Sequence, residues 1–413
     1  MSLSVELSGL QVAQTDLDTS GNNIANVTTT GFKGSTPNFT DVYATSLAGA
    51  AGSSQGLGAA ARSVSQLFTE GTIAQTGNPL DVAIDGSGFF QVQTSSGVLY
   101  SRDGAMQLNN NGFLTNDTGA LIMGYAAPAS GSTATQSGPL QTIQINQSNI
   151  APVATSQLSL DLNLPSSDSL INTVTTPFNL NNPDSYNESS TSTVYDSLGS
   201  SHTLTTFFTQ VSGSGSPPKW QTHWELSNSN GSIVASGAGA QLTFSTSGAL
   251  TAGSGTIHVP LGSGANPLSI AQTFTGTTLS SLSFGVNALS NNGAPGGEFA
   301  GLQIASNGNV VAQYTNGATK IMGTIALANF TNPQGLVATT NNDWSATVAS
   351  GQPVTNGPGT GVLGTLQSGA LEGSNVDLST QLVNLIVAQQ AYQANVQGIN
   401  VDQQDVQKLL TLQ

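Results

Sequence analysis

Residues 382–410 read LVNLIVAQQAYQANVQGINVDQQDVQKLL and carry a continuous apolar stripe with almost no charge. Apolar residues here and just upstream recur at intervals of seven, which is typical of an amphipathic helix in a coiled coil. The residues of this repeat are Leu378, Leu385, Tyr392, Ile399 and Val406, with Leu382, Val396 and Leu410 on the adjoining seam. The stretch therefore predicts one long helix whose stripe needs a partner.

The ends of this helix also have sequence signals. Ser374, followed three residues later by Asp377, predicts the N-cap, and Lys408 lies where the helix dipole favours a cation. At about 1.5 Å per residue, the helix is on the order of 55 Å long.

The start of the chain repeats the pattern over residues 3–27. Leu3, Leu10, Leu17 and Ile24 are again seven residues apart, and Leu7 begins a second seam. Two helices alone leave much apolar surface in water, whereas many copies packed side by side would bury it. We therefore expect the helices to become ordered in a polymer. The alternative is that both pack as ordinary surface helices on the β core of their own chain.

The sequence between the helices predicts β structure. Short apolar alternations separated by Gly- and Asn-rich turns fill residues 80–125 and return at 301–330. In KWQTHWEL, Trp220, Thr222 and Trp224 fall on one strand face, together with Leu226. Residues 31–75 mix turn residues with an Ala/Gly/Ser run and predict an extended connector of low regularity.

These patterns predict a mainly β, multi-domain protein with terminal α-helices that form a coiled coil. The predicted parts are a helical domain (1–30 with 371–413), a connector (31–75 with 361–370), a discontinuous β domain (76–145 with 296–360) and an inserted outer β domain (146–295).

Composition excludes several classes of function. Charged residues make up only 7% of the chain, and 21 acids outnumber six scattered cations, for a formal charge of −15. Nucleic-acid binding needs clustered Lys and Arg, so nucleic acid is not an expected partner. No apolar run reaches the length of a membrane span, so membrane insertion is not expected either. The chain has no cysteine, and its start lacks the basic and apolar regions of a Sec-type signal.

No catalytic, metal-binding or cofactor-binding pattern stands out. His202, His223 and His258 lack metal-ligand spacing, and the DGSG at 85–88 is a turn rather than a nucleophile elbow. We therefore predict no enzyme, metal or cofactor. A glycosidase remains an alternative because its two carboxylates need not be close in sequence.

Several blocks together resemble the bacterial flagellar rod and hook family. They are SGLQVAQTDLDTSGNNIANVTTTGFKGS with FTDVY, EGTIAQTGNPLDVAIDGSGFFQV, GTIALANFTNPQGL, and GALEGSNVDLSTQLVNLIVAQQAYQANVQGI. The insert containing STVYDSLGSSHTLTTFF is similar to that of the hook members rather than the distal rod members. One departure is Gln389-Gln390, where many relatives have Gln-Arg.

The resemblance marks a set of motif residues in this chain. They are Asn22, Asn23, Asn26, Gly31, Phe32, Lys33, Gly77, Asn78, Asp81, Asp85, Gly86, Gly88, Phe89, Phe90, Asn332, Pro333, Gly335, Asn375, Val376, Asp377 and Asn395.

The resemblance implies a structural subunit of a curved tube that transmits torque as a universal joint around a central export channel. The implied partners are further copies of the chain, the distal rod, the hook cap, the hook–filament junction proteins and the flagellar type III export apparatus. The implied location is the flagellum, outside the cell after export. The alternatives are a distal rod or other axial component and, from another class, an extracellular β-rich adhesin.

Overall fold

The computed structural model describes residues 3–43, 56–127, 138–212, 217–262 and 264–411. The chain divides into two compact units. Unit 1 comprises Met1–Gln147, Gly301–Gln313 and Thr319–Gln413, and unit 2 comprises Ser148–Ala300 and Tyr314–Ala318. Unit 2 is thus inserted into the sequence of unit 1, and the finer four-part division stays a prediction.

Two α-helices, three short 3-10 helices (Pro183–Ser185, Pro333–Gly335 and Thr340–Asn342) and 29 strands lie within the described residues. The helices are α1 (Leu3–Ala25) and α2 (Leu378–Thr411). The strands before the insert are β1 (Ser35–Tyr43), β2 (Gly56–Gln66), β3 (Ile73–Gln75), β4 (Val82–Asp85), β5 (Phe89–Thr94), β6 (Gly97–Ser101), β7 (Met106–Leu108), β8 (Leu114–Asn116), β9 (Leu121–Ala126) and β10 (Gln141–Thr142).

The insert contributes ten strands, and nine more follow it. The insert strands are β11 (Gln157–Pro165), β12 (Glu188–Tyr195), β13 (Ser201–Ser212), β14 (Lys219–Asn228), β15 (Ile233–Phe244), β16 (Leu250–Ala252), β17 (Ser254–Val259), β18 (Leu268–Thr273), β19 (Thr278–Ser280) and β20 (Gly285–Asn291). The following strands are β21 (Phe299–Ile304), β22 (Asn309–Tyr314), β23 (Thr319–Ile325), β24 (Leu327–Asn329), β25 (Val337–Ala338), β26 (Asp343–Ser345), β27 (Val354–Asn356), β28 (Thr365–Ser368) and β29 (Ala370–Glu372).

Both predicted terminal helices are confirmed, and they pack against each other within one chain, so the expectation that they become ordered only in a polymer is not met. The predicted N-cap of α2 is wrong, because Asp377 takes that place. The Asp377 Oδ1 accepts a hydrogen bond from the Thr380 N–H at 2.7 Å, whereas the Ser374 Oγ accepts one from the Val376 N–H. Lys408 lies in the last turn, as predicted.

The prediction of low regularity is also wrong for the described part of the connector 31–75, whereas residues 44–55, with much of the Ala/Gly/Ser run, lie outside the described residues. Strands β1 and β2 form a two-stranded antiparallel hairpin, which packs along α1. Its composition hid it, because small residues such as Gly58 and Ala59 give no apolar alternation but allow close contact with a helix. The Ala59 N–H donates to the Ser8 Oγ of α1 at 3.3 Å.

Unit 1 joins strands from before and after the insert in one sheet of thirteen strands. Strand β5 pairs with β24, and β6 pairs with β26. A core of edge-to-face rings, built from Phe89, Tyr100, Phe330 and Trp344, lies under these pairs. The discontinuous β fold predicted from the two similar textures is therefore confirmed.

Unit 2 consists of two five-stranded sheets that share one apolar core. Strand β14 shows the predicted alternation, since Trp220, Thr222, Trp224 and Leu226 are all buried and the residues between them are not. Period-two alternation with one buried face is what an antiparallel sheet over a core requires.

Candidate self-assembly surface

The terminal helices form an antiparallel pair with a seam spaced alternately by four and three residues. On α1 the seam residues are buried or half-buried, and they are Glu6, Leu10, Ala13, Leu17, Ser20 and Ile24. On α2 they are Gln381, Leu385, Ala388, Tyr392, Asn395, Ile399 and Asp402. This spacing is the knobs-into-holes spacing of a coiled coil.

Glycines set how close the two helices come. A Cβ on Gly9 would lie 2.7 Å from the Asn395 Oδ1, and a Cβ on Gly398 would lie 2.5 Å from the Glu6 Oε1. The close approaches of Gly9 to Asn395 and of Gly398 to Glu6 fix the antiparallel register of the two helices. The hydrogen bond from the Asn23 Nδ2 to the Gln381 Oε1 supports the same register. Gly9 and Gly398 thus allow a close crossing, although glycine is unfavourable within helices.

The opposite face of α2 is apolar and exposed. Leu382, Val383, Ile386 and Val387 have exposed fractions of 43%, 59%, 52% and 57%. At about 100° per residue, this group lies across the helix from Ala388, which is only 1% exposed. No charged residue occurs between Asp377 and Asp402. We call these four residues the outward face of α2.

Of the predicted assembly residues, six lie on the seam and only Leu382 belongs to the outward face. Leu10, Leu17, Ile24, Leu385, Tyr392 and Ile399 lie on the seam, Val396 is half-buried beside it, and Leu7, Leu378, Leu382 and Val406 are exposed. The side chains of Leu3 and Leu410 lie outside the described part of the structure. The seven-residue repeat did not reveal Val383, Ile386 and Val387, which a helical wheel of residues 378–402 would have placed together.

The hairpin is tied to α1 by one motif residue. The Asn23 side chain donates from its Nδ2 to the Ser35 carbonyl at 2.8 Å and accepts from the Ser35 N–H at 2.9 Å. Asn23 is almost fully buried, so both polar ends of the amide need these partners. This explains an asparagine on the face of α1 beside β1.

A buried ion cluster holds the helices to the β part of unit 1. The Glu372 carboxylate lies 2.5 Å from the Lys33 Nζ and 3.0 Å from the Arg102 Nη1, and all three side chains are nearly inaccessible to solvent. Burial lowers the pKa of Lys33, and the negative charge of Glu372 opposes that shift. Lys33 was marked by the family resemblance, whereas Arg102 and Glu372 were missed.

The sequence offered only a weak signal for those two residues. Burying a cation is costly unless an anion is buried with it. Because the chain has only six cations, an arginine placed directly after a predicted strand, as in YSRDG, suggests a search for an acidic partner. The partner is 270 residues away, and no local pattern identifies it.

A second group of acids lies near this cluster. The pKa of Asp103 is raised to about 6, chiefly by burial and also by the negative charges of Asp117, Asp343 and Asp81, against the opposing effect of the hydrogen bond from the Ala105 N–H. Burial and Asp117 also raise the pKa of Asp343. These carboxylates therefore stabilise unit 1 less when they are ionised.

Most other motif residues shape turns. Gly31, Gly77, Gly86 and Gly88 all have positive φ, which L side chains rarely adopt. At Gly31 a Cβ would also lie 2.7 Å from the Asp103 nitrogen. The Asn78 Nδ2 donates to the Asp81 Oδ1, and the Asn332 Nδ2 to the Ala349 carbonyl. Of the remaining residues of the set, Asn22 lies in α1, and the others lie in strands, turns or the segments between them: Asn26, Phe32, Asp85, Phe90, Pro333, Gly335 and Val376.

The histidines do not come together. His202 lies 3.2 Å from the Asp196 Oδ2, and His223 stacks on Phe178 with ring centroids 4.1 Å apart. Among the described residues, no group of three His, Asp or Glu side chains could hold a metal ion. No described helix has the length and apolar character needed to cross a membrane.

Four protein-family models match successive parts of the chain. They are the flagella basal body rod protein (residues 3–33), the flagellar hook protein FlgE/F/G D1 domain (83–161), the flagellar basal body protein FlaE D2 domain (163–294) and the flagellar basal body rod FlgEFG protein C-terminal region (367–412). The D2 model corresponds to the insert.

Curated relatives match over the whole length. The flagellar hook protein FlgE of Escherichia coli (strain K12) is 39% identical over 418 residues, covering 100% of both chains. That of Salmonella typhimurium is 39% identical over 420 residues with the same coverage, and that of Borreliella burgdorferi is 29% identical with 98% of both chains covered.

A solved structure has a similar fold. The crystal structure of Helicobacter pylori flagellar hook protein FlgE2 aligns with a TM-score of 0.57 and 14% identity, covering 72% of this chain and 100% of that one. The length and identity of the sequence matches decide the assignment: the chain belongs to the flagellar hook protein family.

Proposed function

We propose that this chain, a structural component of the bacterial flagellum in the region of the hook and basal body, polymerises through the outward face of α2. The product is the curved tube of the hook, which transmits torque from the rod to the filament as a universal joint and surrounds an export channel. Its proposed partners are further copies, the distal rod, the hook cap, the hook–filament junction proteins and the export apparatus. The protein has no enzymatic activity in this proposal.

The observation that carries this proposal is the exposed, uncharged outward face. Pairing of α1 with α2 covers the seam and leaves Leu382, Val383, Ile386 and Val387 in water. Burying a side chain of this size contributes roughly 1.5 to 3 kcal/mol. Since each subunit brings the same face, many copies packed around an axis bury it repeatedly, which one chain cannot do.

The four predicted parts have proposed places in the tube. Residues 1–30 with 371–413 line the channel, residues 31–75 with 361–370 follow outward, residues 76–145 with 296–360 form the middle shell, and residues 146–295 lie outermost. A bending tube must shorten contacts on one side and lengthen them on the other. Ser- and Thr-rich outer surfaces suit this, because a net hydrogen bond contributes only about 1 kcal/mol and is readily exchanged.

Ile386→Asp tests the proposal. A charge in the outward face should abolish tubes, seen by sedimentation and electron microscopy, while the circular dichroism of the monomer stays unchanged. Asn400→Asp, which adds the same charge at an exposed polar position of α2, is the matched control and should form tubes. Tubes formed equally well by Ile386→Asp would contradict the proposed surface.

A further inference from the structure

Four separate segments of unit 1 meet at the Glu372 side chain. Its Oε1 accepts hydrogen bonds from the Lys33 Nζ at 2.5 Å and the Gly71 N–H at 2.9 Å, and its Oε2 accepts from the Arg102 Nη1 at 3.0 Å. The backbone carbonyl of Glu372 accepts from the Gly31 N–H at 2.8 Å. Glu372 thus accepts four hydrogen bonds from three distant segments, and the Lys33 Nζ also donates to the Thr69 carbonyl at 2.7 Å.

The positions of these segments in the chain show which elements the cluster connects. Gly31 and Lys33 follow the end of α1, Gly71 follows the hairpin, and Arg102 follows strand β6 of the large sheet. Glu372 is the last residue of β29, six residues before α2 begins. The cluster therefore joins the segment after α1, the segment before α2 and the end of the hairpin to the large sheet.

Asn375 reinforces the same junction. Its Oδ1 accepts from the Gly34 N–H at 2.8 Å, and its Nδ2 donates to the Leu67 carbonyl at 2.7 Å and the Thr69 carbonyl at 3.1 Å. On the sheet side, the Arg102 Nη2 donates to the Gly86 carbonyl at 2.9 Å, and the guanidinium lies 5.3 Å from the centroid of the Phe89 ring.

Stability alone is a poor explanation for such a cluster. Replacing a buried ion triad by apolar side chains of similar volume is often neutral or stabilising, because the charges lose their hydration. What charged groups add is direction, since each hydrogen bond has a required geometry that an apolar contact lacks. The geometry of the cluster therefore suits a role in orientation.

We propose that Glu372 is a positioning residue that holds the terminal helix pair at one orientation on the sheet of unit 1. Torque applied to the helices then passes to the sheet without rotation at the junction. This inference rests on the proposed hook function for its biological meaning, but the fixed orientation itself is a property of the single chain.

The test separates orientation from stability. The triple variant Lys33→Met/Arg102→Met/Glu372→Met replaces the three charged groups by apolar side chains of similar volume. Its thermal unfolding midpoint should lie within a few degrees of that of the parent. The chain contains no cysteine, so Gln393→Cys on α2 and Val98→Cys on β6 can carry two spin labels without side reactions. Both positions are exposed.

The distance distribution between these labels, measured by double electron–electron resonance on the full chain, is the readout. We expect one narrow distribution in the parent and in the control Lys320→Met, which replaces an exposed cation on β23. The triple variant should broaden it at least twofold. An equally narrow distribution in the folded triple variant would overturn the proposal.

Two further arms keep the outcome clear. If the triple variant fails to fold, Lys33→Met takes its place. It breaks the bond between the segment after α1 and Glu372 but keeps the Glu372–Arg102 ion pair, so no charge is buried without a partner, and a broader distribution than in the parent is again expected. Tube formation is scored separately: a parent that forms no tubes contradicts the proposed function, whereas the label distances still decide the role of Glu372.

Discussion

Gly398 of α2 faces Glu6 of α1 so closely that a Cβ at position 398 would lie 2.5 Å from the Glu6 Oε1. Glu6 is itself buried on the seam, and its Oε2 has no hydrogen-bond partner among the residues that the structure describes. The glycine therefore leaves room for a carboxylate between two helices whose remaining seam is mostly small or apolar.

Gly398→Ala should destabilise the helix pair even though alanine is the better helix former. A methyl group would displace Glu6 or separate the helices, and this should outweigh the gain of about 1 kcal/mol in helix propensity. Gly21→Ala is the matched control, because no atom of the described part of the chain lies within 4 Å of a Cβ there. Thermal unfolding followed at 222 nm should show a lower helix midpoint for Gly398→Ala and a higher one for Gly21→Ala; the same sign for both would refute this view of the crossing.

Asn23→Ala should loosen the hairpin from α1. The substitution leaves the Ser35 N–H and carbonyl without their partners, which costs about 1 to 3 kcal/mol for a buried pair. Hydrogen exchange of the β1 and β2 amides should then become faster, with little change in β14 of unit 2. Asn38→Ala, which removes an exposed amide of the same hairpin, should leave the exchange rates close to those of the parent.

Asp103 should make unit 1 more stable in mild acid than at neutral pH. Its pKa of about 6 in the folded state lies above the ordinary value of 3.8 for an aspartate, so the folded state binds a proton more tightly than the unfolded state. Its contribution is complete below about pH 4 and is lost as the pH rises through 6.

Asp103→Asn removes this dependence. The Asn side chain still accepts the Ala105 N–H bond and carries no charge, so the variant should exceed the parent by about 1 to 3 kcal/mol at pH 7.5, allowing for solvent screening, and match it near pH 4. Urea unfolding of both proteins across pH 4 to 8 measures the difference. Asp41→Asn, at an exposed position on β1, should change the free energy of unfolding by less than about 0.5 kcal/mol. Parallel pH profiles for Asp103→Asn and the parent would show that Asp103 is not the titrating group.

The helices and strands that were predicted correctly are those in which burial repeats at a regular interval along the chain. Seven-residue spacing identified both helices, and alternation identified strands such as β14, because burial of one face repeats along the chain. The same spacing placed Leu10, Leu385 and Ile399 on the seam. It did not separate the seam from the outward face, since a repeat of seven follows one stripe and passes over a second stripe on the opposite side.

The features that the sequence did not predict depend on distant partners. The hairpin of β1 and β2 contains small residues that are ordered by contact with α1. The strand propensity of the individual residues does not predict that contact. Glu372 gains its role from Lys33 and Arg102, which are 339 and 270 residues away. The family resemblance marked Lys33 without giving a reason for it, and the cluster supplies one.

Truncation at two neighbouring points should separate the helices from the junction. A chain of residues 26–377 lacks α1 and α2 but keeps Glu372, and it should remain a folded β protein that forms no tubes. A chain of residues 26–371 also loses Glu372, which leaves Lys33 and Arg102 buried without a carboxylate and should cost roughly 3 to 5 kcal/mol in urea unfolding. Adding Lys33→Met/Arg102→Met to the shorter chain should restore most of the lost free energy of unfolding, because no unpaired charge then remains buried.

Equal stability of the two truncated chains would mean that the Glu372 carboxylate does not compensate the two cations. Tubes formed by either chain would mean that assembly does not depend on the terminal helices.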